Sequence, residues 1–230
     1  MKSKSANFIL AAAGTGKRFG QKIPKQYLKI NNIPIFMYSI IKASKISLIE
    51  NIIIVKNSQI KDSYINKILK NFNIKKKITL VNGSSSRFNS VKKAFLSSAK
   101  INNEYTIVHD AVRPNFNISK IRKMINEIKG SDGIIPIEKI QDTIKKIKNK
   151  NIFKTIPRDS LYLSQTPQIF ITKSLESCYA KIKHKSYFSD ECQMFEENKF
   201  KIKFYINDEN NIKVTTKKDL EFLKKNINHV

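Results

Sequence analysis

The sequence predicts an α/β protein: a mostly parallel β-sheet with helices on both faces, and a β-arm that projects from it. Two observations carry the sheet and a third carries the arm. Short apolar runs alternate with amphipathic runs of helical period from residue 7 to residue 137. Strands alternating with helices of this length form right-handed βαβ units, whose strands pair in parallel. The stretches best suited to bind anions sit just after apolar runs, and ligands of open parallel sheets lie beyond the carboxyl ends of the strands. Past residue 136 the alternation breaks, and two extended, charged segments flank the turn "KNKN".

Each element follows from its local pattern. "NFILAAA" (7–13) is the first strand, "FMYSIIKASK" (36–45) a helix and "NIIIV" (51–55) a strand. "IKDSYINKILKNF" (60–72) places Ile60, Tyr64, Ile65, Ile68, Leu69 and Phe72 on one helical face. "KITLV" (77–81) is a strand, and in "RFNSVKKAFLSSA" (87–99) Val91, Ala94, Phe95, Ser98 and Ala99 fall at helical spacing. "YTIVHD" (105–110), "ISKIRKMINEI" (118–128) and "GIIPI" (133–137) read as strand, helix and strand. The segment of about 138–156 is too polar to bury itself, so it should project as a hairpin and pair with a second subunit. The α/β pattern resumes with the helix "KSLESCYAKIK" (173–183), a short helix after "SDE", the strand "KIKFYI" (201–206) and the helix "KKDLEFLKKNI" (217–227). No repeat or linker interrupts residues 1–230, which read as one domain with an inserted arm.

Composition narrows the function class. Lys and Arg number 44 against 18 Asp and Glu, a net charge of +26. Such a charge suits a nucleic-acid or membrane-surface binder. The lysines, however, are scattered through a chain rich in Lys, Asn and Ile, the usage of an A+T-rich genome. A polyanionic small substrate profits from the same field, and the expectation is neither a nucleic-acid nor a membrane partner. Two cysteines, Cys178 and Cys192, have no paired spacing, so neither a disulfide framework nor a zinc site is expected and a reducing cytoplasm is. "MKSKSANF" enters a strand at once, leaving no room for a signal peptide, and no apolar run reaches the ~20 residues of a membrane span.

The stretch "ILAAAGTGKRFG" (9–20) carries the chemistry first. Its glycines, Gly14, Gly16 and Gly20, are spaced too widely for a dinucleotide fingerprint, and Ala11 stands where a P-loop needs glycine. It still looks built for phosphate: Gly14 and Gly16 let backbone N–H groups approach an anion, and Lys17, Arg18, Lys22 and Lys25 surround it with charge. "NGSSSRFNSV" adds Gly83, serines and a helix N-terminus, which suit an anion or a polar base. "HDAVRP" sets Asp110 at a strand end, where a carboxylate beside polyphosphate holds Mg²⁺ directly or through water. His109 has no metal-binding companions and reads as a packed strand residue. "NIKVTT" near the C-terminus supplies Lys213. No Ser-His-Asp, Cys-His or paired-carboxylate set is visible. A site rich in cations and backbone donors and poor in bases matches phosphoryl or nucleotidyl transfer.

Together, "AAAGTGKRFG", "PKQYL", "RFNSV", "VHDAVRP", "QDTIKK", "QTPQIF" and "NIKVTT" resemble one family in its own order: the 2-C-methyl-D-erythritol 4-phosphate cytidylyltransferases of non-mevalonate isoprenoid synthesis. The resemblance implies a Rossmann-like domain of nucleotidyltransferase type, a homodimer joined by β-arms, and a reaction of CTP with Mg²⁺ that releases pyrophosphate. It implies that Arg18 and Lys25 grip the CTP phosphates and that Lys213 and Asp110 serve the reacting centre, Asp110 near Mg²⁺. Ala12, Ala13, Gly14, Gly16 and Ala111 fall at CTP-contact positions. Gly83, Ser84, Ser85 and Ser90 fall where the family holds cytosine, although its members often carry Gly-Gly-Asp-like residues there. Arg113, Thr143, Arg158 and Thr166 match positions for the methylerythritol phosphate, some reaching in from a partner's arm. Val112 in "HDAVRP" is shared with a sister family acting on ribitol 5-phosphate, which stays open as the alternative acceptor. A basic nucleic-acid-binding protein is the alternative of another class. The nucleophile of the implied reaction is a phosphate oxygen, anionic near neutrality because the second phosphate pKa is ~6, so no general base is needed.

Overall fold

β1 (Ala6–Ala12) lies at the centre of the sheet because both of its faces are apolar. Phe8, Leu10 and Ala12 face one side and Ile9 the other, the period-two alternation of a strand. The computed structural model describes residues 4–16, 23–98, 103–182 and 188–227. After β1 comes a single 3-10 turn, Lys25–Tyr27, and a two-strand ribbon, β2 (Lys29–Ile30) and β3 (Ile33–Pro34). Then follow α1 (Ile35–Ser44), β4 (Ile49–Lys56), α2 (Asp62–Leu69), β5 (Lys77–Asn82), α3 (Arg87–Ser98), β6 (Tyr105–Asp110), α4 (Ile118–Glu127) and β7 (Gly133–Lys139). The hairpin is β8 (Ile144–Lys148) and β9 (Asn151–Ile156). The chain closes with β10 (Tyr162–Ser164), β11 (Gln168–Ile171), α5 (Thr172–Lys181), α6 (Glu191–Glu197), β12 (Ile202–Ile206) and α7 (Lys217–Asn226).

The main sheet runs β10–β7–β11–β6–β1–β4–β5, with β12 along the other edge of β7. β6, β1, β4 and β5 are mutually parallel neighbours, as the βαβ pattern requires. Helices cover both faces: α1, α2 and α4 pack on the Phe8 side, and α3, α5 and α6 on the Ile9 side. α7 closes a third cluster, where Leu220 and Leu223 meet Tyr38, Val112 and Val214. Among the described residues no helix is long and apolar enough to cross a membrane.

β2, β3, β10 and β11 are strands the sequence pattern did not predict, and one side chain of α2 is placed differently. β11 was hidden in "QTPQIF"; it enters antiparallel between β6 and β7, so that βαβ unit skips one strand position. The run is only Gln168–Ile171, too short to declare a strand by periodicity. The β2–β3 ribbon turns at Asn31 and Asn32, both at positive φ (49° and 65°), a conformation asparagine tolerates. Tyr64, expected on the buried face of α2, is exposed; its ring meets Tyr27 edge-on at 6.2 Å while Ile65 takes the core position. Ala99 lies outside the described residues.

The hairpin forms a sheet of its own, closed by a two-residue turn at Asn149 and Lys150, both at positive φ. Ile147, Ile152 and Phe153 stand exposed on it.

Candidate functional site

Described residues of all four segments singled out in the sequence line one cavity beyond the carboxyl ends of β1, β5 and β6. The first loop is pinned by Gln26, a buried side chain whose Nε2 donates to the carbonyls of Ala12 and Gly14, each at 2.7 Å. That staple places the adjacent Lys25 on the loop. Gly16 has φ of 68°, and a side chain there would crowd the Lys25 backbone nitrogen at 3.3 Å. Glycine is therefore needed for the conformation itself. Gly83 answers to a different constraint, since its Cα faces Ala13 so closely that a Cβ would lie 2.3 Å from the alanine Cβ.

Two cavities result. The first, about 340 Å³, is lined by Ala13, Gly14, Lys25, Ser84, Ser85 and Ser90 among others. The second, about 230 Å³, is lined by Arg113, Thr166, Gln168, Ser189 and Asp190 among others. Arg87, Asp110 and Lys213 line both and form the seam between them. Asp110 Oδ2 accepts from Lys213 Nζ at 2.7 Å and Oδ1 from Arg87 Nε at 3.0 Å, with Arg113 Nε at 3.9 Å from Oδ2. Burial alone would raise the Asp110 pKa; Arg87 first, then Lys213 and Arg113, outweigh it and hold the carboxyl well below the usual range. Lys213 is delivered by the C-terminal segment, where Val214 N–H donates to the Val112 carbonyl at 2.9 Å and a Thr216–Asp219 capping box starts α7.

His109 is structural, as its isolation in the sequence suggests. It is fully buried between Phe8 and Phe116, and burial pushes its pKa down to about 3. The Arg113 carbonyl, 3.0 Å from Nε2, can only accept, so Nε2 carries the proton. Nδ1 then accepts from the Thr166 hydroxyl at 3.0 Å, and that same oxygen accepts from the Asp110 backbone N–H at 3.0 Å.

Lys25, Asp110, Lys213, Ala13, Gly14, Ser84, Ser85 and Ser90 all line the first cavity, and Arg113 and Thr166 the second. Arg18, with Lys17 and Lys22, lies outside the described residues. Ala12 and Ala111 face the core. Gly16 and Gly83 shape the loops from behind. Two expected contacts have their hydroxyls engaged by the protein. Ser90 Oγ accepts from Ser84 N–H and donates to the Ser86 carbonyl, folding the serine loop; Thr166 Oγ1 holds His109 and Asp110. Thr143 and Arg158 are exposed at the root of the hairpin and line neither cavity of their own chain; Arg158 Nη1 donates to the Gln141 carbonyl there.

Three residues of this network escape the sequence reading: Gln26, Arg87 and Glu191. Arg87 Nη1 donates to both oxygens of Glu191, at 3.0 and 2.8 Å, and Glu191 is fully buried. One signal for Arg87 was present. A cation at the first position of α3 opposes the helix dipole, so it implies a partner elsewhere. On the wall of the second cavity, Arg87 Nη2, Arg113 Nε and Gln168 Oε1 are buried without a hydrogen-bond partner. Unpaired buried polar atoms cost ~1–3 kcal/mol each, which an incoming polar ligand can recover. Among the described residues no group of three His, Cys, Asp or Glu side chains could hold a metal.

The family model described as 2-C-methyl-D-erythritol 4-phosphate cytidylyltransferase matches residues 6–227. The protein of that name from Wigglesworthia glossinidia brevipalpis is 38% identical over 226 residues, covering 96% of this chain and 95% of the relative. A bifunctional enzyme IspD/IspF from Pelagibacter ubique is 33% identical over 215 residues; the match covers 94% of this chain, which spans only 56% of that relative's length. The crystal structure of 4-diphosphocytidyl-2C-methyl-D-erythritol synthase from Anaerococcus prevotii superposes with a TM-score of 0.81 at 27% identity, covering 96% of this chain and 97% of the other. With a family model spanning nearly all its residues and a site assembled from that family's motifs, the chain belongs to the 2-C-methyl-D-erythritol 4-phosphate cytidylyltransferase family.

Proposed function

We propose that the protein transfers a cytidylyl group from CTP to 2-C-methyl-D-erythritol 4-phosphate, forming 4-diphosphocytidyl-2-C-methyl-D-erythritol and pyrophosphate. One observation carries the reading: two cavities abut at a seam of Arg87, Asp110 and Lys213. The larger, with its glycine loop, Lys25 and serine loop, suits the nucleotide. The smaller, with the unpaired Arg113 Nε beside it, suits a phosphate whose polyol extends toward Gln168 and Asp190. A phosphate oxygen of the acceptor attacks the α-phosphorus in line, the bond to the β-phosphate oxygen breaks, and pyrophosphate leaves. Lys213 and Lys25 offset charge building on the reacting phosphates, a form of electrostatic stabilisation that needs no proton transfer.

Asp110 fits a Mg²⁺ that takes most of its ligands from phosphate and water, since Mg²⁺ commonly uses one or two carboxylates in this way. Bound there, the ion would neutralise phosphate charge; Asp110, its oxygens already engaged by cations, would hold it through water.

Val112, the residue shared with ribitol 5-phosphate enzymes, lines the first cavity and packs on Val214. It is not among the residues lining the second cavity, so it does not argue for the other acceptor. Ile147, Ile152 and Phe153, exposed on an otherwise polar hairpin, and the absence of Thr143 and Arg158 from the cavities of their own chain, support a homodimer in which each arm completes the other site. The buried free thiols Cys178 and Cys192 support a reducing compartment, the cytoplasm. Pyrophosphate release with CTP and Mg²⁺, with the two polyol phosphates in competition, tests the reading. A higher kcat/KM for ribitol 5-phosphate, or no release with either, would refute it.

A further inference from the structure

We infer that Arg87, clamped by the buried Glu191, is a positioning residue for the transfer reaction: it fixes the orientation of the Asp110 carboxylate at the seam between the two cavities. The inference rests on the nucleotidyl-transfer reading. Arg87 spends its planar fork on two acids that lie far apart in sequence. Nε donates to Asp110 Oδ1 at 3.0 Å, and Nη1 donates to both oxygens of Glu191 at 3.0 and 2.8 Å. Glu191 has no exposed surface. A buried carboxylate is costly unless paired, and the fork supplies that pairing rigidly.

The geometry sets the order of dependence. Glu191 starts α6 and Arg87 starts α3, two helices on the same face of the sheet. The α6 end therefore holds the guanidinium, and the guanidinium holds Oδ1 of Asp110. With Oδ1 taken, Oδ2 is the oxygen turned to Lys213 at 2.7 Å. Lysine at position 87 could not reproduce this, because a single ammonium lacks the two separated donor directions.

The experiment compares E191Q and the paired variant R87M/E191M with the wild-type protein under identical conditions. Wild-type turnover in the same assay tests the transfer reading itself, independently of the variants. E191Q keeps every nitrogen of Arg87 and loosens the clamp. R87M/E191M replaces the buried pair with apolar side chains, which commonly preserves stability. Thermal melting and CTP binding by calorimetry are measured beside kcat and both KM values. A displacement near 1 Å can cost about 100-fold in rate. We expect kcat to fall about 10-fold in E191Q and about 100-fold in R87M/E191M, with the CTP dissociation constant within about threefold of wild type. A folded paired variant with wild-type kcat would show the pair to be structural only and overturn the inference. So would E191Q turning over at the wild-type rate, or a raised KM with unchanged kcat in either variant, which would make Arg87 a substrate-binding group.

Discussion

Gly83→Ala isolates a steric requirement of the first cavity, the one proposed to take CTP. Gly83 carries no positive φ, so alanine meets no backbone strain there; the obstacle is space. The new methyl would lie 2.3 Å from the Ala13 Cβ, and 3.3 Å from both the Lys56 carbonyl oxygen and Ser90 Oγ. Ordinary carbon contacts begin near ~3.5 Å, so one side must retreat by about 1 Å. Gly83 N–H is tied to the Lys56 carbonyl at 2.8 Å, which makes its own retreat costly. Ala13 would move instead, carrying Gly14 and the glycine loop with it. Overpacking of this kind costs about 1–3 kcal/mol. At about 2 kcal/mol, Tm falls by roughly 4–8 °C for a chain of this size.

Binding of CTP, measured by calorimetry, should weaken about tenfold in Gly83→Ala, since the loop donors lose their alignment. The decisive control is the double variant Ala13→Gly/Gly83→Ala, which moves the methyl from one strand end to the other. Ala13→Gly alone should cost up to ~1 kcal/mol in chain entropy. The double variant should recover most of the loss, with a favourable coupling of about 1–2 kcal/mol. Strictly additive effects, or undiminished CTP affinity in Gly83→Ala, would refute the claim that this contact sets the loop.

Lys25→Ala and Lys213→Ala should each lower turnover about 100-fold or more, as one preorganised charge contact is worth ~3 kcal/mol, while circular dichroism stays native. Near-normal single-turnover rates would remove either residue from the transfer step. The buried His109, held neutral down to about pH 3, gives a pH signature of defined sign. The unfolded imidazole takes a proton as pH falls through ~6.5 and the folded one does not, so stability is full above that pH and declines by ~1.4 kcal/mol per unit below it. Asp110, with its depressed pKa, adds its own loss only below pH ~4. Urea titrations between pH 4.5 and 7 should show the slope in wild type and a flatter one in His109→Gln. Replacing residues 144–156 with a short glycine linker should give monomers that bind CTP normally and the acceptor weakly. Light scattering showing an active monomeric wild type would contradict the shared-site arrangement.

The sequence exposes the four loops because physics marks them locally: glycine, serine and cations gathered after apolar strands, which a parallel sheet must bring to one edge. It does not expose what the sheet decides globally. "QIFI" gives no sign that it will enter antiparallel beside β6, since that choice depends on the gap left between β6 and β7, two strands that lie far earlier in the chain. Arg87 and Glu191, 104 positions apart, each look explicable at home, one as a solvated cation and one as an acid at a helix start. Only contact reveals that each neutralises the other.

The same gap separates residue type from role. Ser90 and Thr166 offer hydroxyls at positions where substrate contact is expected, yet each hydroxyl is engaged by backbone or by His109. A hydroxyl has one proton and two lone pairs, so once it donates to one group and accepts from another it retains a single acceptor position. A phosphate, which needs donors, gains nothing from what remains. What Thr166 does in the structure is hold the Asp110 backbone. For an anionic acceptor in the second cavity, a donor that the fold leaves unpaired is Arg113 Nε.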